Sequence, residues 1–173
     1  MKNTVKTLVI ALFVLISACS EKETDKYPIK QADWNSKQAK IENFDNFNLG
    51  KSYLPVYSHI YHMHEHRTFD LTSTISIRNV SITDSVYILK ADYFNTTGDN
   101  IRQYLKKPIF LKPLETLEII ITEKDMEGGS GANFVFDWAI KNVKNPPLFE
   151  AVMISTRGQH GVSYLTRGVQ VFE

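Results

Sequence analysis

Beyond residue 49 the chain alternates between apolar and polar positions. In FDLTSTISI, Phe69, Leu71, Ile75 and Ile77 are apolar while Asp70, Thr72, Thr74 and Ser76 are polar, the period of a strand with one wet face. TLEIIIT sets Leu117, Ile119 and Ile121 on one side, and NFVFDWAI does the same for Phe134, Phe136, Trp138 and Ile140, aromatic positions expected in the core. Runs at 53–60, 86–94, 149–155 and 162–172 bring the set to about seven or eight strands. The segments between them, NTTGDN (95–100), EGGSGAN (127–133), NVKNPP (142–147) and RGQHG (157–161), are turn chemistry, in which Gly supplies positive φ and Pro ends a ladder. The pattern predicts an all-β domain over residues 49–173, an antiparallel β-sandwich of immunoglobulin-like layout. Helical spacing is confined to a turn or two near 35–44 and a single turn in DNIRQYLK, with Ile101, Tyr104 and Leu105.

The N-terminus has a different character. Lys2 and Lys6 precede the apolar run from Leu8 to Ile16, which is too short for a permanent bilayer span and suits a secretory leader. Ile16-Ser17-Ala18-Cys19 then resembles the lipobox of bacterial lipoproteins, in which an aliphatic and two small residues precede a cysteine that receives diacylglycerol before cleavage. Cys19 is the only cysteine in the chain, so a disulfide framework is excluded and its thiol is left for the lipid. Each buried methylene contributes about 0.8 kcal/mol, so the two or three acyl chains of a mature lipoprotein, palmitate among them, make attachment nearly permanent.

The organisation expected is therefore a signal peptide over 1–18, a lipidated cysteine with a polar tether over 19–48, and the sandwich beyond. A tether of that length reaches on the order of 30 Å as a random coil. Ser20 after the lipidated cysteine favours the outer membrane in a Gram-negative envelope. Of the 20 basic side chains, removal of Lys2 and Lys6 leaves 18 against 19 acidic ones, a balance that argues against nucleic acid and against a polybasic membrane patch.

Candidate chemistry begins with HIYHMHEHRTF at 59–69, which holds four of the five histidines. His62, His64 and His66 alternate, and on a strand His-x-His brings two imidazoles within reach of one Zn²⁺ or Cu²⁺. Against that, three imidazoles on a core face are costly to bury, which favours a strand ending near Tyr61 and a solvated histidine-rich hairpin. Further ligands have to come from His160, Glu65, Asp70 or Asp125. His59 has the parity of Tyr53, Tyr57 and Tyr61 and is suited to a hydrogen bond with a neighbouring loop.

The second candidate is GGSGANF. It lacks the Gly-Lys-Ser/Thr of a phosphate loop, and it runs into a strand rather than a helix, so neither that loop nor a serine nucleophile elbow fits. Asp125, Gly128, Gly129, Ser130, Gly131 and Asn133 form instead a small-residue loop, either a ligand or partner site with an anion nest or a tight inter-strand connection. Arg78, Glu150 and Arg167 read as salt-bridge or rim residues.

PVYSHIYH, LTSTISIRN, GGSGANF and EAVMIS, in that order, resemble a family of bacterial envelope proteins known as domain of unknown function 3124, over nearly all of residues 50–170. The resemblance implies a short, exported, often lipidated protein and brings no established activity. His59, Arg78, Asp125, Gly128, Gly129, Ser130, Gly131, Ala132, Asn133 and Glu150 match the family pattern, whereas His64 and His66 do not. The expectation is a lipid-anchored, non-catalytic binding or assembly module, without cofactor and with an envelope protein as partner. The alternative is a metal-handling protein that binds Zn or Cu through the histidine loop.

Overall fold

The computed structural model describes residues 34–41, 43–156 and 161–172; the leader, Cys19 and His160 fall outside them. Twelve strands follow one another: β1 (Asn48–Pro55), β2 (His59–His62), β3 (His64–Asp70), β4 (Thr72–Arg78), β5 (Val86–Phe94), β6 (Asn100–Gln103), β7 (Ile109–Leu111), β8 (Thr116–Ile121), β9 (Asn133–Ile140), β10 (Leu148–Ser155), β11 (Val162–Arg167) and β12 (Val169–Val171). One sheet runs β12-β1-β9-β5-β6, with β7 also paired to β5; a second runs β11-β10-β4-β8; β2 and β3 form a separate hairpin. All pairings are antiparallel, as the short alternating runs predict.

The count exceeds the expected seven or eight because two runs are divided where the chain leaves a sheet, and because β3, β6 and β7 lie largely outside the runs whose alternation reads as strand. Run 162–172 breaks at Gly168, which carries the chain from β11 in the smaller sheet to β12 in the larger. Its N–H donates to the Phe149 carbonyl at 2.8 Å, and a Cβ there would lie 3.0 Å from that of Phe149. Run 53–60 breaks after Pro55, so the parity linking His59 to Tyr53 does not cross the break. DNIRQYLK holds β6 rather than a helical turn, and Ile101, Tyr104 and Leu105 pack against the core from it.

The two sheets face each other across a core to which β9 contributes Phe134, Phe136 and Trp138 and β10 contributes Phe149, Ala151 and Met153. Phe136 of one sheet stacks on Phe149 of the other, ring centroids 4.3 Å apart and planes 12° from parallel. Phe134 continues the stack at 5.4 Å, and Tyr93 stacks on Phe134 at 4.8 Å. Trp138 lies across Gly50, where any larger residue would collide with its ring, and donates Nε1–H to the Ser52 hydroxyl at 3.0 Å.

Residues 34–41 and 43–47, read from sequence as tether, lie on the sandwich. Ala39 N–H donates to the Pro108 carbonyl at 2.9 Å, Gln38 bridges Ile109, and Lys37 pairs with Glu115. Phe44 and Phe47 pack edge-on to Tyr87 at 5.6 and 5.2 Å. Trp34 to Lys37 form a turn, where a helix was one expectation.

One buried polar residue locks two connections together. Asn79, 3% exposed, shares its two Nδ2 hydrogens among the carbonyls of Asp84 (2.8 Å), Leu111 (3.1 Å) and Lys112 (2.9 Å) and accepts from Ser81 N–H at 2.9 Å. Asn79→Ala strands these groups in a site water cannot easily enter, so a loss of about 3 kcal/mol is expected in urea unfolding. A loss below about 1 kcal/mol would show that the groups find other partners.

Candidate functional site

The sandwich gathers the sequence-derived candidates at one end. The hairpin β2-β3, the 122–132 connection and the 95–99 turn meet there, because β1, β5, β9 and β4 all begin or finish at that end. A 3-10 turn over Gly129–Gly131 sits beside β2 and so beside His59.

The glycine loop is sewn to the sandwich. Ser58 N–H donates to the Gly129 carbonyl at 3.0 Å and Val56 N–H to that of Ala132 at 2.9 Å. Thr96 donates both its N–H (3.0 Å) and its hydroxyl (3.1 Å) to the Gly128 carbonyl, and that hydroxyl accepts from Gly131 N–H at 2.9 Å. Gly129 N–H donates to Met126 at 3.2 Å. With these alternate amides engaged, the loop does not offer the unbroken run of N–H groups that an anion nest uses.

Each glycine has a steric reason. Gly128 lies over the Tyr93 hydroxyl, with which a Cβ there would collide, and that Cβ would also come within 2.7 Å of the Ala132 Cβ and 2.8 Å of the Ser58 hydroxyl. Gly129 has φ of +78° and would meet Thr96 Oγ1 at 2.5 Å. Tyr93 is fully buried beneath the loop; burial raises its pKa, opposed by its 3.2 Å bond to Ser58.

Arg102 on β6 closes the same end. Its guanidinium donates to Asp125 at 2.8 Å, Tyr104 at 3.0 Å and Glu127 at 3.0 Å, and lies 5.8 Å from the ring centroids of both Tyr93 and Tyr104. The bond to Asp125 is the main cause that drives its pKa upward. Asp125 Oδ1 is buried and has no hydrogen-bond partner among the described residues, and the same holds for His59 Nδ1. His59 packs edge-on to Tyr61 at 6.1 Å. Ser130 is half-buried and Asn133 opens β9 opposite Pro55 and Phe94.

The histidine stretch is a hairpin. Residues 64–70 form β3 rather than loop, and Met63 at φ of +67° makes the reversal. His62 turns inward and stacks on Phe69 at 4.3 Å, while His64 and His66 stay exposed with ring centroids 6.0 Å apart. His66 N–H donates to His64 Nδ1 at 3.2 Å, and His66 Nε2 lies 3.5 Å from Glu65. The structure thus brings together two of the three imidazoles. Among the described residues no three His, Cys, Asp or Glu side chains converge as a metal set.

The outer face of the four-stranded sheet is a feature that the strand reading passed over. Ile120, Thr74, Val152 and Leu165 form one cross-strand row, and Ile154 follows on β10. Ile120 is 46% exposed, Val152 39%, Ile154 42% and Leu165 57%. The next row is Glu118, Ser76, Glu150 and Arg167. Glu150 pairs with Arg78 at 3.1 Å, and among the described residues Glu118 and Arg167 have no ion-pair partner within 4.0 Å. The signal was present in the sequence, since TLEIIIT and EAVMIS are apolar in both phases where a one-sided sheet alternates. Arg102, Thr96 and Ser58 carried no such signal, because their partners are distant in sequence.

These features define an all-β sandwich protein with a sealed glycine-loop end and an exposed apolar sheet face. The chain belongs to the family "Protein of unknown function (DUF3124)", whose family model matches residues 50–171. No curated protein matches it. Among solved structures it is similar to the crystal structure of Thermotoga maritima 1070, at 11% identity and a TM-score of 0.41, over 69% of this chain and 92% of that one.

The loop geometry separates two glycine substitutions. Gly128→Ala forces Tyr93 or Ser58 aside and is expected to cost about 2–3 kcal/mol in chemical denaturation. Gly131→Ala, whose Cβ would meet only the Thr96 side chain, nearest at its methyl at 3.1 Å, is expected to cost under about 1 kcal/mol. Equal costs would overturn the packing account of this loop.

Proposed function

We propose that the chain is a lipid-anchored protein of the bacterial cell envelope, acylated at Cys19, that works as a non-catalytic binding or assembly module. The anchor rests on the order of charge, apolar core and lipobox in the first nineteen residues. The observation that carries the module is the apolar row on the outer face of the four-stranded sheet. A sheet with one face in the core presents polar residues on the other, and a contiguous apolar patch there marks an interaction surface. Its partner is an envelope protein that presents an apolar face of its own. The glycine-loop end uses most of its polar groups in holding β6, the chain after β1 and the 95–99 turn together, while Asp125 Oδ1 and His59 Nδ1 stay without a partner among the described residues.

Both parts are testable. Cys19→Ser should lose palmitate labelling and leave the membrane fraction; a variant still at the membrane would refute the anchor. A photo-reactive residue at Val152 should cross-link to an envelope protein in intact cells, and Leu165→Glu should remove the adduct without changing the unfolding midpoint. Adducts that survive Leu165→Glu would refute the face.

A second reading, metal handling through His62, His64 and His66, is favoured by one contact. His66 N–H occupies Nδ1 of His64, leaving Nε2 as the outward donor beside the His66 ring. Two imidazoles leave positions of a Zn²⁺ or Cu²⁺ sphere open to water or to a second protein. On this reading calorimetry gives stoichiometric sub-micromolar binding, weakened at least about tenfold by His64→Ala or His66→Ala and less by His62→Ala, whose ring is held on Phe69. Weak binding unchanged by all three substitutions removes the reading.

A further inference from the structure

The outer face of the four-stranded sheet has an order of residues that specifies what can cover it. Across the sheet from β8 to β11, the apolar row reads Ile120, Thr74, Val152, Leu165, and the row beside it reads Glu118, Ser76, Glu150, Arg167. The second row is polarised, with an acidic residue at the β8 edge and a basic one at the β11 edge, and those two end residues have no ion-pair partner within 4.0 Å among the described residues.

A second copy can be laid on this face about a two-fold axis in two ways that keep strands aligned, since aligned packing is one of the standard arrangements of stacked sheets. An axis across the strands either exchanges the two rows, setting apolar side chains against charged ones, or, laid on the apolar row, pairs that row with itself and leaves Glu118 and Arg167 facing no opposite charge. An axis along the strands keeps each row on itself and exchanges the edges, so that β8 lies over β11. Ile120 then faces Leu165 of the other copy, Thr74 faces Val152, and Glu118 faces Arg167, each contact made twice. The middle positions add no like-charge pair, because Ser76 faces Glu150. We infer that this face is a self-complementary interface and that the chain pairs with a second copy of itself about an axis parallel to the strands.

This inference names the partner for the surface described under the proposed function and rests on that reading. The size of the face bears on where pairing occurs. Four strands about 4.8 Å apart, and about six residues of roughly 3.3 Å each, give a footprint on the order of 400 Å². A stable interface buries about 800 Å² per partner. Pairing is therefore weak in free solution and gains from confinement in a membrane plane, where a shared anchor raises the effective concentration.

The test separates face from anchor. In the full chain carrying Cys19→Ser, Ile120→Cys with Leu165→Cys is oxidised with copper phenanthroline; the two positions lie three strands apart within a chain but opposite each other between copies. The double variant should form a disulfide-linked dimer and neither single variant should. Separately, the acylated chain on vesicles of phosphatidylethanolamine and phosphatidylglycerol is followed by energy transfer between labelled copies. Glu118→Arg or Arg167→Glu should weaken association about tenfold, and the two together should restore it. No cross-link in the double variant, cross-links in the singles as well, or charge reversals without effect would each overturn the inference. Adducts with a different envelope protein in place of the dimer would do so too. A cross-link in the Cys19→Ser background with no gain on vesicles would leave the interface standing and remove the role of the anchor.

Discussion

The stack of Phe136 on Phe149 is the contact on which the architecture depends. It is the place where the larger sheet, through its central strand β9, meets the smaller one, through β10. Parallel-stacked rings 4.3 Å apart leave no freedom in the spacing of the two sheets at that point, and aromatic pairs of this kind contribute about 0.5–1.5 kcal/mol beyond the area they bury. The same side chains set the local rules around them. Phe149 crowds position 168, where a Cβ would lie 3.0 Å from its own, and the strand passing over it has glycine there as it crosses from one sheet into the other. Phe134 extends the stack toward the end where Tyr93, Tyr104 and Arg102 pack.

From that end the packing extends outward to the glycine loop. Tyr93 is inside the sandwich, yet its hydroxyl needs a partner, since an unpaired buried hydroxyl costs about 1–3 kcal/mol. Ser58 supplies it, and the close passage of the loop over that hydroxyl requires glycine at 128. The run of small residues is thus explained by what lies under it. Arg102 then fixes the preceding residues by bonding both Asp125 and Glu127 while lying against two tyrosine rings, which joins an edge strand to a loop already bonded to Val56, Ser58 and Thr96.

How much of this was legible in the sequence depended on whether the determinant was local. Strand identity was, because alternation reports burial directly: each of Leu117, Ile119 and Ile121 is inside and Glu118 is outside. The breaks were not, because Pro55 and Gly168 act through the geometry of a neighbouring strand. The segment 34–47 looked like tether since its few apolar residues have no periodicity, yet Phe44 and Phe47 need only Tyr87 to give them a place. In the histidine stretch the alternation was visible, and the chain does form a strand there, but the stacking of His62 on Phe69 follows from a hairpin turn at Met63 that no side-chain pattern announces. Asn79 was only half legible: its bonds to Ser81 and Asp84 are local, but those to the Leu111 and Lys112 carbonyls come from more than thirty positions away.

The outer face of the smaller sheet raises a question that folding alone does not answer. β-propensity accounts for branched residues on strands, but threonine meets that preference as well, and β4 uses it at positions 72 and 74 of this same face. Isoleucine, valine and leucine at 120, 152, 154 and 165 contribute little to the core, from which the sheet itself separates them. Each remains between 39% and 57% exposed, so about half of the gain available from removing their surface from water is not realised within one chain. That unrealised burial is a driving force for association, and the charged row beside it decides orientation, since a misaligned partner would bring charges against apolar surface. With 20 basic against 19 acidic side chains, the chain meets little net-charge repulsion from another of its kind. The arrangement suits a weak, directional contact that forms where copies are concentrated and releases where they are not.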